Sequence, residues 1–293
     1  MKHQALMSPA KIVFPTSKSS WMKHATAVGD FVERLGPSAF TTGVLHKLFV
    51  GFRPMLLKSA IFNQHGSFLG KPEWTEQPFQ RQPVSLTQSL FNRAVHLPDL
   101  LERFADTMLS PYTADISSRV ELRTDLETVL RSLRDWETTA QNQSTSPLYW
   151  KKIDNRHLSA CDIDALWFRD LMTATSLTFC WAFKIVVLNH LDLVQHSIDT
   201  LNPSHHHGQD SKSSNREEKI KLAGLICNSM PYFMRPEMKL WGHASTFFTF
   251  STSVQTFKDN EVDCRPQLLR CQQIFTHLNK LKVHFPGIQE LLF

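Results

Sequence analysis

Apolar residues recur every three to four positions along most of the 293-residue chain, and this spacing constrains the fold more than any other feature. The period places apolar side chains on one face of an α-helix, where they pack against other helices. No stretch shows the alternation of a half-buried strand, and no Asn-Gly or Asp-Gly pair marks a hairpin. With only 10 glycines, the chain also lacks the turn residues of a β fold. The sequence therefore predicts an all-α protein, a multi-helix bundle of irregularly packed helices with loop-rich connections.

The apolar stripes locate the predicted helices. They cover residues 21–35, 45–60, 86–108, 122–136, 162 to about 196, 220–230, 247–257 and 268–281. In the first helix Ser19 or Ser20 is the predicted cap and Gly36–Pro37 the predicted end, while Pro98 divides 86–108 into two helices or bends one. Residues 1–18 are predicted to be a flexible N-terminal segment and residues 19–293 one helical domain.

Three polar stretches are predicted to be connections. Residues 63–82 form a loop that Trp74 and Phe79 attach to the core, residues 138–147 form a linker, and residues 201–218 form a flexible surface loop. The longest stripe is apolar on most sides, which predicts a central helix. Its most apolar part, residues 171–188, contains Ser, Thr and Lys184, so a buried helix is favoured over a membrane span.

The motifs of common enzyme classes are missing from the sequence. No GxSxG elbow, HExxH pair, phosphate-binding glycine loop or aspartate-rich cluster occurs. Asp162 and Asp164 are the closest carboxylates on a predicted helix, but residues two apart do not share a helix face. Their predicted role is to cap the long helix rather than to perform acid–base or metal chemistry. We therefore predict no catalytic residues, no cofactor and no enzymatic activity.

Histidines and cysteines do not predict a metal site either. His205, His206 and His207 are adjacent in the predicted loop, where they cannot easily converge on one metal ion. His190 and His196 lie six positions apart on the long helix, off the i, i+4 spacing that suits a metal. The five cysteines, Cys161, Cys180, Cys227, Cys264 and Cys271, contain no CxxC pair, and their pattern is typical of reduced intracellular thiols.

The positive charge of the chain is dispersed. The formal net charge is +5, but the N-terminal lysines are scattered, and Lys151–Lys152 is the only adjacent basic pair. Binding to a nucleic-acid backbone requires a concentrated basic patch, so the charge is predicted to serve solvation. The first 21 residues lack the apolar core of a secretory signal.

Several short blocks resemble the fungal-specific transcription factor domain, the regulatory domain of zinc binuclear cluster regulators. They are residues 21–24 (WMKH), 36–40 (GPSAF), 45–53 (LHKLFVGFR), 68–69 (FL), 73–74 (EW), 78–79 (PF), 97–103 (LPDLLER), 181–182 (WA), 223–233 (AGLICNSMPYF) and Gly242. Each block is mostly core and turn residues, and their order and spacing carry the resemblance. It implies an all-helical regulatory domain, a nuclear location and a role in transcription. Proteins of this family are often encoded beside genes of secondary metabolism.

The chain departs from the family pattern at its start. Family members read DNA with an N-terminal cluster of six cysteines that holds two zinc ions, and no such cluster occurs here. The resemblance also begins part-way into the regulatory domain. We therefore expect no direct sequence-specific DNA binding and expect action through another transcription factor subunit or a co-regulator, without a membrane. The alternatives are a helical protein, catalytic or not, with a hydrophobic ligand pocket; a truncated or degenerate factor; an incomplete gene product; and a cytoplasmic location.

Overall fold

A computed structural model of the chain describes residues 18–109, 115–152, 164–201, 209–280 and 292. Helices account for nearly all of these residues, and their apolar faces meet in a shared core. The all-α prediction is confirmed. Apart from Lys18, which begins the first helix, the predicted N-terminal segment lies outside the described residues.

The first half of the chain forms six helices within the described ranges. They are α1 (Lys18–Leu35), α2 (Gly43–Asn63), α3 (Pro72–Glu76), α4 (Leu86–Ala94), α5 (Leu97–Leu109) and α6 (Ile116–Gln143). Gly36 ends α1 as predicted, with a φ of 75° that favours glycine. Ser19 and Ser20 lie inside α1, so the prediction that one of them caps it is wrong. The stripe over 86–108 is two helices, and Pro98 is the second residue of α5, where its missing N–H is not needed.

The second half adds one small hairpin and four longer helices. They are β1 (Tyr149–Lys151), β2 (Leu166–Phe168), α7 (Leu171–Leu201), α8 (Gln209–Phe233), α9 (Lys239–Lys258) and α10 (Glu261–Lys280). The strands pair antiparallel, with Trp150 opposite Trp167. The sequence did not predict this hairpin, because three residues are too few to establish a period of two.

Helix α7 lies at the centre of the fold, as predicted. It packs against α6, α8 and α9, and its middle turns are buried on all sides. In the described part of the chain, α7 is the one helix long and apolar enough to cross a membrane, but 78% of its apolar window is buried inside the protein. Burial of this kind is what a core helix of a helical bundle shows.

Several predicted boundaries are wrong. Helix α6 continues to Gln143, so the first half of the predicted 138–147 linker is helical. Helix α8 begins at Gln209, so residues 209–218 are not a loop, while 202–208 lie outside the described residues. The central helix begins at Leu171 instead of residue 162. Polar turns at the end of a helix carry no apolar stripe, so periodicity alone marks only the buried turns.

The predicted loop over 63–82 is attached to the core as expected. Trp74 and Phe79 are buried, and the segment between α2 and α4 folds into short helical turns, among them α3. The segment is therefore partly helical and is attached to the core by a few buried side chains, while many of its other residues are exposed.

Candidate functional site

Of the two carboxylates singled out in the sequence, the structure describes Asp164. Asp162 lies outside the described residues. Asp164 is in a turn before β2 with a φ of 63°, and its carboxylate accepts a hydrogen bond from Lys151 Nζ at 2.9 Å, which lowers the pKa of Asp164. The prediction that Asp164 caps the central helix is wrong, because the helix begins at Leu171. The residue that caps it is Asp170, whose Oδ1 accepts a hydrogen bond from the Thr173 amide at 2.7 Å.

Of the histidines singled out in the sequence, the structure describes His190 and His196. His205, His206 and His207 lie outside the described residues. His190 Nδ1 lies 2.7 Å from the Val186 carbonyl oxygen, its ring meets Phe104 edge-on at 4.8 Å, and burial lowers its pKa. Across the described ranges, no three His, Cys, Asp or Glu side chains come close enough to hold a metal ion.

The described cysteines are buried thiols. Cys180, Cys227, Cys264 and Cys271 are all free and buried, while Cys161 lies outside the described residues. Burial raises the pKa of Cys180, so this thiol resists forming the nucleophilic thiolate. Cys227 and Cys271 lie Sγ to Sγ 3.8 Å apart, and the neighbouring thiol together with burial raises the pKa of Cys271.

A buried ion pair joins the two central helices. Lys184 on α7 is 4% exposed, and its Nζ donates to a carboxylate oxygen of Glu137 on α6. The other Glu137 oxygen accepts from Trp181 Nε1 at 2.8 Å. In the sequence, Lys184 served only as an argument against a membrane span. Its pairing with Glu137 could not be predicted, because the two residues are distant in the chain.

Four blocks of the family resemblance meet in one aromatic cluster, which we define as Phe40, Phe49, Trp74 and Phe79. Ring centroids lie 5.4 Å apart for Phe40–Phe49, 5.7 Å for Phe49–Trp74 and 6.1 Å for Phe49–Phe79. Such spacings are typical of favourable aromatic pairs. The cluster joins α2 to the segment that precedes α4, so it fixes the N-terminal half of the domain.

Arg53 lies beside this cluster and is fully buried. Its guanidinium is 5.3 Å from the Phe79 ring centroid, donates to Gln88 Oε1 at 3.0 Å and donates to Asn92 Oδ1 at 2.6 Å. Burial lowers the pKa of Arg53 to about 9. The Gln88 amide also donates to the Val50 carbonyl oxygen at 3.3 Å, the acceptor that Pro54 leaves without a helical donor. The polar groups here hold α2 against α4, which is a structural role.

Gly242, the last residue of the resemblance, is required by close packing. A Cβ at this position would lie 2.4 Å from the Phe233 carbonyl oxygen, at the end of α8. No L-residue with a side chain fits there without a shift of the backbone. The glycine therefore sets how closely α9 approaches α8.

An exposed apolar surface on α1 and α2 is the most distinctive feature that could contact a partner. We call it the α1–α2 face. Its large side chains and their exposed fractions are Phe31 59%, Leu35 41%, Val44 72%, Leu45 38% and Leu48 43%. A groove of about 210 Å³ runs between the two helices and is lined almost wholly by apolar side chains, Ala27, Val28 and Phe52 among them.

The sequence assigned part of this face to the core. Leu35 belonged to the predicted buried stripe of α1, and Leu45 and Leu48 to that of α2, but all three are exposed by more than a third. These core assignments are wrong. An apolar stripe has the same period whether it packs inside one chain or against another, so periodicity carries no signal that separates the two cases.

The adjacent basic pair has local partners, and so does Lys58, which the sequence did not single out. Lys151 pairs with Asp164, and Lys152 Nζ lies 4.7 Å from the Trp167 ring centroid, so the adjacent basic pair belongs to the hairpin. Lys58 Nζ lies 5.7 Å from the Phe179 ring centroid, and burial lowers the pKa of Lys58 to about 8.

Comparisons of the chain with protein families, with curated proteins and with solved structures find no match.

Proposed function

We propose that the chain is a transcription regulator-like protein, a regulatory or co-regulatory domain without catalysis that acts through protein partners. The partner would be another transcription factor subunit or a co-regulator, which would supply the sequence-specific DNA contact. The proposal includes a nuclear location and, following the resemblance, control of genes of secondary metabolism.

The aromatic cluster is the observation that carries this proposal. The blocks at 36–40, 45–53, 73–74 and 78–79 resemble one regulatory domain in their residues alone. In the structure they contribute Phe40, Phe49, Trp74 and Phe79 to a single buried group. Residues that resemble one domain are expected to pack together if they derive from its core. Their convergence supports reading the blocks as one unit and not as chance matches.

The chemistry of the described residues also favours binding over catalysis. Many polar side chains of the described residues are engaged in structural contacts, such as the helix cap at the exposed Asp170, the ion pair of Glu137 and the hydrogen bonds of the buried Arg53. Large apolar side chains instead stand exposed on the α1–α2 face, and exposed patches of this kind mark sites of protein contact.

Transcript profiling tests the proposal. Deletion of the gene is expected to change the transcripts of a defined gene set under inducing conditions, and the wild-type chain supplied in trans is expected to restore them. A matched variant, Gly242→Leu, is expected not to restore them, because its side chain collides with the end of α8. Unchanged transcripts after deletion contradict the proposal. Sequencing the 5′ end of the transcript separates a co-regulator from an ordinary factor, since an upstream in-frame segment with six cysteines would supply the DNA-binding cluster.

A ligand-binding protein is the second candidate, and the α1–α2 groove is the observation that favours it. Small-molecule sites usually enclose about 300–1,000 Å³, and a few of their polar groups point towards the ligand. This groove encloses about 210 Å³ and its lining is apolar except for His24. Its size and lining fit a side chain of another protein better than a metabolite.

A further inference from the structure

Cys227 and Cys271 are two thiols in direct contact, on helices that are distant in the sequence. Cys227 lies on α8 and Cys271 on α10, their sulfur atoms are 3.8 Å apart, and both side chains are at most 2% exposed. The sulfur atoms of a disulfide are about 2.05 Å apart, so the two atoms have less than about 2 Å to close. The fold has therefore placed two thiols where a disulfide between α8 and α10 can form.

An exposed ion pair also links α8 to α10. Arg216 on α8 donates to Asp263 on α10, and Arg216 Nε donates to Asn260 Oδ1 at 2.7 Å, just before α10 begins. Both charged side chains of the pair are about half exposed, so water and salt weaken their attraction. Helix α10 packs more extensively against α9 than against α8. A covalent bond between Cys227 and Cys271 would therefore strengthen a weakly held contact between two helices.

The two thiols of the pair differ in how readily they ionise. A hydrogen bond from the Cys271 thiol lowers the pKa of Cys227; burial opposes this change, and the positive charge of Arg270 adds to it. The same contact and burial raise the pKa of Cys271. The thiolate is the reactive form of a cysteine, so Cys227 is the nucleophile of the pair and Cys271 the thiol that follows it.

Helix α10 is broken about two turns before Cys271. Cys264 has non-helical backbone angles, with a φ of −112° and a ψ of 20°, and Pro266 has no N–H to donate to the preceding turn. The turns that carry Cys271 are therefore separated from the start of the helix by a gap in its hydrogen bonds. Local opening at such a gap costs less than global unfolding, and it exposes buried thiols to small reagents.

From this contact, we propose that Cys227 and Cys271 form an oxidation site, at which a hydroperoxide converts the two thiols into a disulfide that ties α10 to α8. Disulfides of intracellular proteins are usually transient and redox-sensing, which agrees with the reduced thiols expected from the sequence. A small dithiol reduces the bond again by thiol–disulfide exchange. The inference does not rest on the transcriptional role and stands or falls independently of it.

The oxidation proceeds in two steps. The Cys227 thiolate attacks one oxygen of the hydroperoxide, the O–O bond breaks, and Cys227 becomes a sulfenic acid. The other oxygen takes up the proton that the Cys227 thiol released and leaves as an alcohol, or as water when the oxidant is hydrogen peroxide. The Cys271 sulfur then attacks the Cys227 sulfur, and the sulfenic hydroxyl leaves as water with the Cys271 proton. The two thiols lose two electrons and two protons, and the hydroperoxide accepts both.

Thiol counting and peptide mapping of the full chain after treatment with hydrogen peroxide test the proposal. The reduced wild type is expected to lose two of its five thiols, in a single linkage between Cys227 and Cys271, and to regain both with dithiothreitol. The matched control is Cys264→Ala on the same helix, which is expected to form the same linkage. Cys271→Ala is expected to form no linkage and to accumulate a sulfenic acid on Cys227, which dimedone traps.

Thermal unfolding provides a second measurement on the same samples. The disulfide joins residues 44 positions apart, so oxidation is expected to raise the melting temperature of the wild type by about 5–10 °C. The same treatment is expected to leave the melting temperature of Cys271→Ala unchanged, because no bond forms. Far-ultraviolet circular dichroism checks that each variant is folded before treatment, and Cys271→Ser, which is closer in size to cysteine, replaces an alanine variant that is not.

Several outcomes overturn the proposal. One is a peroxide-treated wild type that keeps all five thiols. Others are a linkage through Cys161, a linkage between two copies of the chain, and an equal rise of the melting temperature in the wild type and in Cys271→Ala.

Discussion

The ion pair between α6 and α7 allows a quantitative test of the central packing. Glu137→Leu removes the carboxylate that accepts from both Lys184 and Trp181. The Lys184 side chain is 5% exposed, whereas the Glu137 side chain is 27% exposed. Water can therefore reach the glutamate more easily than it can reach the lysine, and the two halves of the pair should not cost the same to remove.

The expected magnitudes follow from that asymmetry. Breaking a buried pair by deleting one partner costs about 3–5 kcal/mol, since the remaining charge is left without compensation. Glu137→Leu should lie in this range, because it isolates Lys184 and removes the acceptor of the Trp181 N–H. Lys184→Met should cost only about 1–2 kcal/mol, because Glu137 keeps its bond from Trp181 and gains hydration. Replacing both residues should cost less than Glu137→Leu alone.

Urea unfolding followed by circular dichroism gives the free energy of unfolding for the wild type, the two single variants and the double variant. The four values form a double-mutant cycle, and the interaction term is expected to show strong coupling. Equal costs for the single variants, or a double variant that is less stable than Glu137→Leu, would refute the reasoning. Glu137→Gln, which retains an acceptor for Trp181, is expected to be more stable than Glu137→Leu by about 1 kcal/mol.

Three further predictions concern the aromatic cluster and two titratable groups. Phe49→Ala should lower the free energy of unfolding by about 3–5 kcal/mol, since Phe49 is fully buried. The control Val262→Ala, at an exposed site, should change it by at most about 0.5 kcal/mol. Equal effects of the two substitutions in urea titrations would contradict the role of the cluster. Burial opposes ionisation of Asp170, but the Thr173 amide outweighs it and lowers the pKa. The cap should make the wild type about 1 kcal/mol more stable than Asp170→Ala at pH 7, and this difference should be lost as pH falls below about 4. A difference in unfolding free energy at pH 3 equal to that at pH 7 would count against this role of Asp170. Burial lowers the pKa of Lys58 to about 8, so between pH 8 and about 10.4 the unfolded chain binds one proton more than the folded chain. The free energy of unfolding of the wild type should therefore rise with pH in this range relative to that of Lys58→Met. Parallel curves of unfolding free energy against pH would exclude the lowered pKa of Lys58.

The buried turns of the fold were predictable from sequence, and their ends were not. The stripe through Leu122, Leu126, Leu133 and Trp136 identified α6 because those side chains are all buried in it. The last turns of α6 and residues 213–218 of α8 face solvent along much of their surface, so they carry no apolar stripe and were interpreted as parts of a linker and a loop. Asp170 lies eight positions after the aspartate at which the central helix was expected to begin, because the short strand β2 intervenes.

The sequence by itself determined the fold class and the central position of α7, because a helix that is apolar on most sides has no stable place except inside a bundle. Only the tertiary structure decided which apolar stripe stays outside. Leu45 and Leu56 lie on the same helix with the same spacing, yet Leu45 is 38% exposed and Leu56 is 6% exposed. The difference arises because other parts of the chain cover Leu56 almost completely, whereas the described residues leave more than a third of Leu45 exposed. Such long-range contacts leave no trace in local periodicity.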